Sequence, residues 1–347
     1  MKWWVFAVGG MMVWAGSSAR ATPPRCKPPR IAHRGACHYP DDVEREQKQA
    51  RDKRLAARQA VTAPDKPATP TTIPPTETPT APVVERVDAK AHRAPTPASQ
   101  ADVEALGIEW ISIASKTFPM GSRWGDPDEK PVRNVRVPGF RLAKSETTVA
   151  QYRACVAAGW CDGELVEGEE FADFAWESSR FCNAGRADHG THPMNCVSWW
   201  EALAFCEWVG GRLPTEAEWE LAATGGTRMY PWGDAPATCE HAQMFNGEDG
   251  CGTGTTATVC ERPAGRTPEG VCDMGGNVWE WVADWYGAGH YAEGATEAPT
   301  GPAQGSTRVR RGGSFRDEAG DLRSTNRWFL IGVYRSATLG FRCAGPL

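Results

Sequence analysis

The chain is expected to fold as an irregular, loop-rich α+β domain with few helices and short strands. Three observations lead there. Two Ser/Thr-x-x-Glu boxes, Ser198–Glu201 and Thr215–Glu218, each stand at the head of an apolar run and mark helix starts. Short stretches such as Glu109–Ile113 alternate with the two-residue period of a strand. Beyond Tyr230, Gly, Pro, Asn and Asp recur so often that little room is left for helices, and twelve cysteines are at hand to staple the loops.

The 347 residues divide by composition. Residues 1–21 read as a signal peptide: Lys2, then the apolar run Trp3–Ala15, then Ala19-Arg20-Ala21 as an A-x-A cleavage site. That run is too short to span a bilayer as a helix, so no transmembrane span is expected after cleavage. Residues 22–61 are a short polar and charged region, in which 43–61 has the composition of a solvated helix without a wide apolar stripe. Residues 62–100 are a Pro/Thr-rich linker, expected to be disordered because proline lacks an N–H and threonine adds no burial. Residues 101–347 form the main domain. Between 22 and 101 there are 14 Lys/Arg against 9 Asp/Glu, whereas 102–347 carries 22 against 34. An acidic main domain argues against a nucleic-acid partner. An even cysteine count behind a signal peptide points to export into an oxidising compartment: periplasm, cell envelope or medium.

Within the main domain the elements follow in order. Glu109–Ile113 is a strand, and Phe118–Ser122 runs into a glycine turn. The sequence from Val132 to Tyr152 reads as strand, turn, strand and then a helix starting near Thr147. The helix after Ser198 is expected to bury Leu203, Phe205, Cys206 and Trp208 and to end at Gly210-Gly211. The helix after Thr215 covers Trp219, Leu221 and Ala222 and is closed by Gly225-Gly226. The seven histidines are scattered. His189 and His192 adjoin Gly190 and Pro193, which places them on a surface loop rather than in a ligand set.

Seven strings in fixed order carry a resemblance: FPMGS (118–122), PVRNVRVPGFRLAKSETTVAQY (131–152), the segment His192–Gly226 with GRLPTEAEWE, YPWGD (230–234), CDMGGNVWEW (272–281), RRGGSF (310–315) and GFRC (340–343). Together they resemble the sulfatase-modifying-factor family, the formylglycine-generating-enzyme-like domains, whose fold is related to the C-type lectins. The resemblance implies structural calcium. One site would fall on Asp273 and Glu280 through side chains and on Gly276 and Val278 through carbonyls, oxygen donors of the kind a hard cation takes. A second would use Gln243 and Asp249 side chains with Met244 and Cys251 carbonyls, although Gln243 stands where asparagine is usual.

The same resemblance implies an oxidase that turns the cysteine of a C-x-P-x-R segment into formylglycine, using copper on two cysteine thiolates. Here Asp317 occupies the first cysteine position, no cysteine lies between Cys272 and Cys343, and a carboxylate does not replace a thiolate on Cu(I). Copper is therefore not expected, and Trp279 and Ser314 remain of the family's pocket. The resemblance also pairs Cys206 with Cys343, with Ala223 and Ser324 in place of a second family disulfide. For the other ten cysteines the neighbouring pairs Cys26–Cys37, Cys155–Cys161, Cys182–Cys196, Cys239–Cys251 and Cys260–Cys272 suggest themselves, without sequence alone fixing connectivity. The resulting expectation is an exported, calcium-stabilised binding domain that lacks oxidase activity and meets a protein or glycan partner in the cell envelope. The alternative is a formylglycine-generating oxidase or a related metal-dependent oxidative modifier of a protein substrate.

Overall fold

The computed structural model describes residues 31–33, 36–38, 97–162, 181–247 and 250–347. The signal peptide, the charged segment 43–61, the linker up to residue 96, the Cys26–Cys37 pairing and Asp249 lie outside these residues. By its contacts the chain forms two units, 1–53 and 54–347. In the first, strands β1 (Ile31–His33) and β2 (Ala36–His38) pair antiparallel.

Among its described residues the second unit begins with helix α1 (Gln100–Ala105), strand β3 (Trp110–Ile113) and strand β4 (Lys116–Met120). Strands β5 (Arg133–Val137) and β6 (Phe140–Ala143) follow, then helix α2 (Val149–Ala157). Helices α3 (Trp199–Trp208) and α4 (Glu216–Thr224) come next. Thereafter strand β7 (Trp279–Trp285), the one-turn helix α5 (His290–Glu293) and strands β8 (Arg308–Arg311), β9 (Arg327–Leu330), β10 (Leu339–Phe341) and β11 (Ala344–Pro346) are set among long loops. Mixed helix and short strand with much irregular backbone is the architecture the punctuation of the sequence called for.

Each main helix starts at a reciprocal cap. The Thr148, Ser198 and Thr215 hydroxyls accept from the N–H three residues on, while Gln151, Glu201 and Glu218 reach back to the cap N–H. Helix α4 ends on Gly225 at φ +54°, whose N–H returns to the Leu221 carbonyl. Phe205, Cys206 and Trp208 of α3 are buried as expected, but Leu203 is only partly covered; Trp199 takes the inward place.

Among the described residues of the second unit there are three sheets: β10-β7-β8-β9, β11-β6-β3 and β4-β5. All pairings are antiparallel except β10 with β7, where Leu339 to Phe341 run beside Trp279 to Trp281. One apolar core lies where α2 and α3 pack around Phe205, Trp279, Trp281 and Phe341. A second joins β4, β5 and β6 to α4 through Phe118, Val135, Phe140 and Trp219. Strand β7 contributes to both, with Trp281 in the first and Val282 in the second, so its N-terminal turn is held between two packed bodies.

The ten cysteines from Cys155 to Cys343 form five disulfides: Cys155–Cys161, Cys182–Cys196, Cys206–Cys343, Cys239–Cys251 and Cys260–Cys272. Disulfides of this number are compatible with an oxidising, non-cytoplasmic environment. Among the described residues no helix is long and apolar enough to cross a membrane. His189 departs from the expected surface loop: it is buried, and its ring stacks on His192 at 4.0 Å.

Candidate functional site

Two turns meet at the head of the four-stranded sheet. The turn Asp273–Asn277 leads into β7, and the turn Gly312–Ser314 leaves β8. They are laced by Gly276 N–H to the Gly312 carbonyl (2.9 Å) and Phe315 N–H to the Asn277 carbonyl (2.9 Å). Gly276 is required here. Its φ is +90°, and a β-carbon would stand 2.5 Å from the Gln243 carbonyl oxygen.

The Asp273–Glu280 segment sits in a pocket of buried charge. Glu280 is fully buried and accepts from Arg342 twice, at Nε and Nη2 (both 2.7 Å), and from Trp219 Nε1 (2.8 Å). Asp273 accepts the Cys260 N–H at 2.5 Å. Glu146, also fully buried, accepts from Asn277 Nδ2 (2.8 Å) and the Val278 N–H (3.2 Å). Burial pushes the Glu146 carboxyl well above the usual carboxylate range, and the charges on Asp273 and Glu280 push it further. Burial likewise raises Asp273, against the pull of the Cys260 N–H. Neither Glu146 nor Arg342 was assigned a role from sequence. Arg342 lies inside the GFRC string and Glu146 inside the 131–152 string, so both stand in family segments; what no local pattern gives is their meeting, because Glu146 lies 127 or more residues from Asp273 and Glu280.

Of the other expected oxygen set, Gln243 is buried and its amide nitrogen donates to the Gly250 carbonyl (3.1 Å), Thr253 Oγ1 (2.7 Å) and the Thr255 carbonyl (2.7 Å). Its amide oxygen accepts from Arg262 Nη2. Met244 is buried, and Cys251 is tied to Cys239. As folded here Gln243 presents its oxygen to a guanidinium rather than to an open ion position, and its expected partner Asp249 lies outside the described residues. Among the described residues no three His, Cys, Asp or Glu side chains converge to hold a metal. An ion at either turn would therefore lean on backbone carbonyls.

Trp279, Ser314 and Asp317 do come together. One oxygen of Asp317 accepts from Trp279 Nε1 at 2.7 Å and from the Ser314 hydroxyl. The Asp317 carbonyl takes the Phe245 N–H (2.9 Å), and Ser314 Oγ accepts the Arg316 N–H (3.2 Å). Trp279 and Ser314 are buried while Asp317 is partly exposed. Arg310 lies over the Trp279 ring at 4.6 Å and within 5.9 Å of Trp328, which is 45 % exposed. Burial lowers the Arg310 guanidinium to about 10, opposed by Asp317, Tyr334 and Asp321. Two registers along β8, Arg308 stacks between Trp199 (3.6 Å) and Trp285 (3.4 Å), near the half-exposed Trp200. This face of aromatic rings and guanidinium groups was not legible in sequence; the alternation of RVRR in β8 is its only trace.

A family profile described as the sulfatase-modifying factor enzyme 1-like domain matches residues 96–346. The serine/threonine-protein kinase pkn1 of Chlamydia caviae is 35 % identical over 250 residues, covering 70 % of this chain and 38 % of the kinase, so the chain spans well under half of that relative's length. The formylglycine-generating enzyme of Streptomyces coelicolor is 31 % identical over 283 residues, covering 67 % of this chain and 88 % of the enzyme. Among solved structures, PvdO from Pseudomonas aeruginosa overlays with a TM-score of 0.57 at 24 % identity, covering 69 % of this chain and 95 % of PvdO, a likeness of fold.

Proposed function

Because the chain belongs to the sulfatase-modifying factor enzyme 1-like family, we propose that it is an exported member that binds a partner and does not carry out the copper oxidation of the formylglycine-generating enzymes. The carrying observation is Asp317. It stands where the first thiolate would be, and its carboxylate is already engaged by Trp279 and Ser314. The ten cysteines of the domain are also committed to disulfides, and a bridged sulfur is not a Cu(I) thiolate. The partner, a protein or glycan of the cell envelope, would meet the exposed face bordered by Trp200, Trp328 and Arg310, where rings and a guanidinium offer stacking and charge together.

Structural calcium belongs to the same proposal. The turn Asp273–Glu280 would hold the ion through the Asp273 and Glu280 carboxylates and the Gly276 and Val278 carbonyls. Its support is the donor chemistry: the Asp273 carboxyl accepts the Cys260 N–H and Glu280 balances the Arg342 guanidinium, and both are oxygen donors of the kind a hard cation takes. A bound ion would stiffen the irregular residues Asp273–Val278 that lead into β7.

The test is direct. Purified protein, loaded with copper and given a peptide containing C-x-P-x-R, is expected to leave the peptide cysteine unchanged by mass spectrometry. Conversion of that cysteine to the aldehyde would make the chain an oxidase of the kind its 31 % identity to the Streptomyces coelicolor enzyme also admits, and would end the binding-only reading.

A further inference from the structure

The loop from Cys239 to Thr255, whose residues 248 and 249 lie outside the described set, buries the stretch Ala242–Met244. Gln243 and Ala242 are each 2 % exposed. The loop is drawn together from three directions. The Cys239–Cys251 disulfide closes its ends. The Gln243 amide nitrogen gathers the Gly250 carbonyl, the Thr253 hydroxyl and the Thr255 carbonyl. Finally Arg262 donates through Nη1 to the Cys239 carbonyl and through Nη2 to the Gln243 amide oxygen. Arg262 is delivered there by close backbone packing: at Gly265, just beyond it, a β-carbon would fall 1.8 Å from the His241 carbonyl oxygen, so only glycine lets the segment approach.

The orientation of the Gln243 amide is settled by its surroundings. Its nitrogen faces two carbonyls and a hydroxyl, and its oxygen faces a guanidinium, which can only donate. A calcium ion at Gln243 would need that same oxygen, and it would stand against a fixed positive charge sharing it. Like charges a few ångströms apart repel strongly in a site with little water.

We propose that Arg262 is the resident cation of this loop, taking the place of a metal ion at Gln243, so that any calcium the chain takes up goes to the Asp273–Glu280 turn alone. The guanidinium satisfies two partly buried carbonyl-type oxygens and ties Cys239 to Gln243. That matters beyond the loop. The Gln243 carbonyl accepts the Asn277 N–H (2.8 Å), and the Phe245 N–H binds the Asp317 carbonyl (2.9 Å). Arg262 is thus a positioning residue for both the acidic turn and the Trp279–Ser314–Asp317 group.

The proposal deepens the calcium reading above, and two measurements on the full chain separate them. Equilibrium dialysis with calcium alone is expected to give one ion per chain for the natural sequence and none for Asp273→Asn. Two ions per chain, or a single ion that survives Asp273→Asn, would overturn the role of Arg262. Thermal unfolding in chelator is the second arm. Arg262→Ala is expected to lower Tm by roughly 5 °C, because two partly buried acceptors lose their donor, and Arg262→Lys to recover part of the loss. An unchanged Tm in Arg262→Ala would refute the proposal. If the natural sequence binds no calcium while Arg262→Ala still loses stability, the calcium reading fails and the resident cation stands.

Discussion

At the scale of single residues, Asp317 has a position that sequence comparison with the family locates and a set of bonds that it does not. A thiolate's place is taken by a carboxylate whose one oxygen receives both an indole N–H and a hydroxyl. With Asp317→Ala the buried Trp279 Nε1 and Ser314 Oγ lose their acceptor. Leaving a buried donor unpaired costs about 1–3 kcal/mol, and urea unfolding is expected to show a loss in that range. Asp317→Asn keeps an acceptor oxygen and is expected to lose less. Equal stability of the alanine variant and the natural protein would mean that the group is not held as described. Trp279, Ser314 and Asp317 could be named from sequence because they lie in, or two residues beyond, the short strings CDMGGNVWEW and RRGGSF. Arg262 could not, because its acceptors lie 19 and 23 residues away across a disulfide-closed loop.

At the scale of elements, helix starts were legible and helix environments were not. The boxes at Ser198 and Thr215 sit within four consecutive residues, and capping is settled inside that span. For Thr215→Ala, which removes the acceptor of the Glu218 N–H, a loss of about 1 kcal/mol is expected in chemical denaturation; no loss would remove the cap from the account of α4. What the box did not foretell is that α4 is buried on every side, its glutamates included. Each glutamate has found an arginine: Glu216 with Arg327 (2.6 Å), Glu218 with Arg212 (2.6 Å) and Glu220 with Arg311 (2.5 Å). Two of those partners come from β8 and β9, more than ninety residues on. Buried carboxylates of this kind stand only when paired, so α4 and the β8–β9 ribbon specify each other. Leu203 shows the same limit in reverse: helical spacing offered it as core, and the neighbouring loops left it half covered.

At the scale of the whole molecule, covalent links substitute for regular structure. Cys206 on α3 is joined to Cys343 beside β11 across 137 residues. Chain-entropy reasoning assigns such a closure about 5 kcal/mol. The double variant Cys206→Ala/Cys343→Ala is expected to lose stability on that order in guanidinium unfolding, whereas a loss under about 1 kcal/mol would show that packing alone holds the C-terminal strands. The four other disulfides of the domain close loops of 6 to 14 residues in sequence separation. They fix local turns, among them the Cys239–Cys251 loop under the candidate site.

Sequence by itself determined the mixed, loop-rich character of the domain, its helix starts, the family strings and the missing thiolates. All of these are written in short windows or in residue identity, where capping, turn chemistry and donor type act over a few bonds. The tertiary structure alone decided which buried charges face each other. It set Glu146 beside Asp273, gave Glu280 to Arg342, placed Arg262 against Gln243 and laid Arg310 between two tryptophans. Electrostatic partnership in a poorly solvated interior depends on distance through space, and no local pattern along a chain encodes that distance.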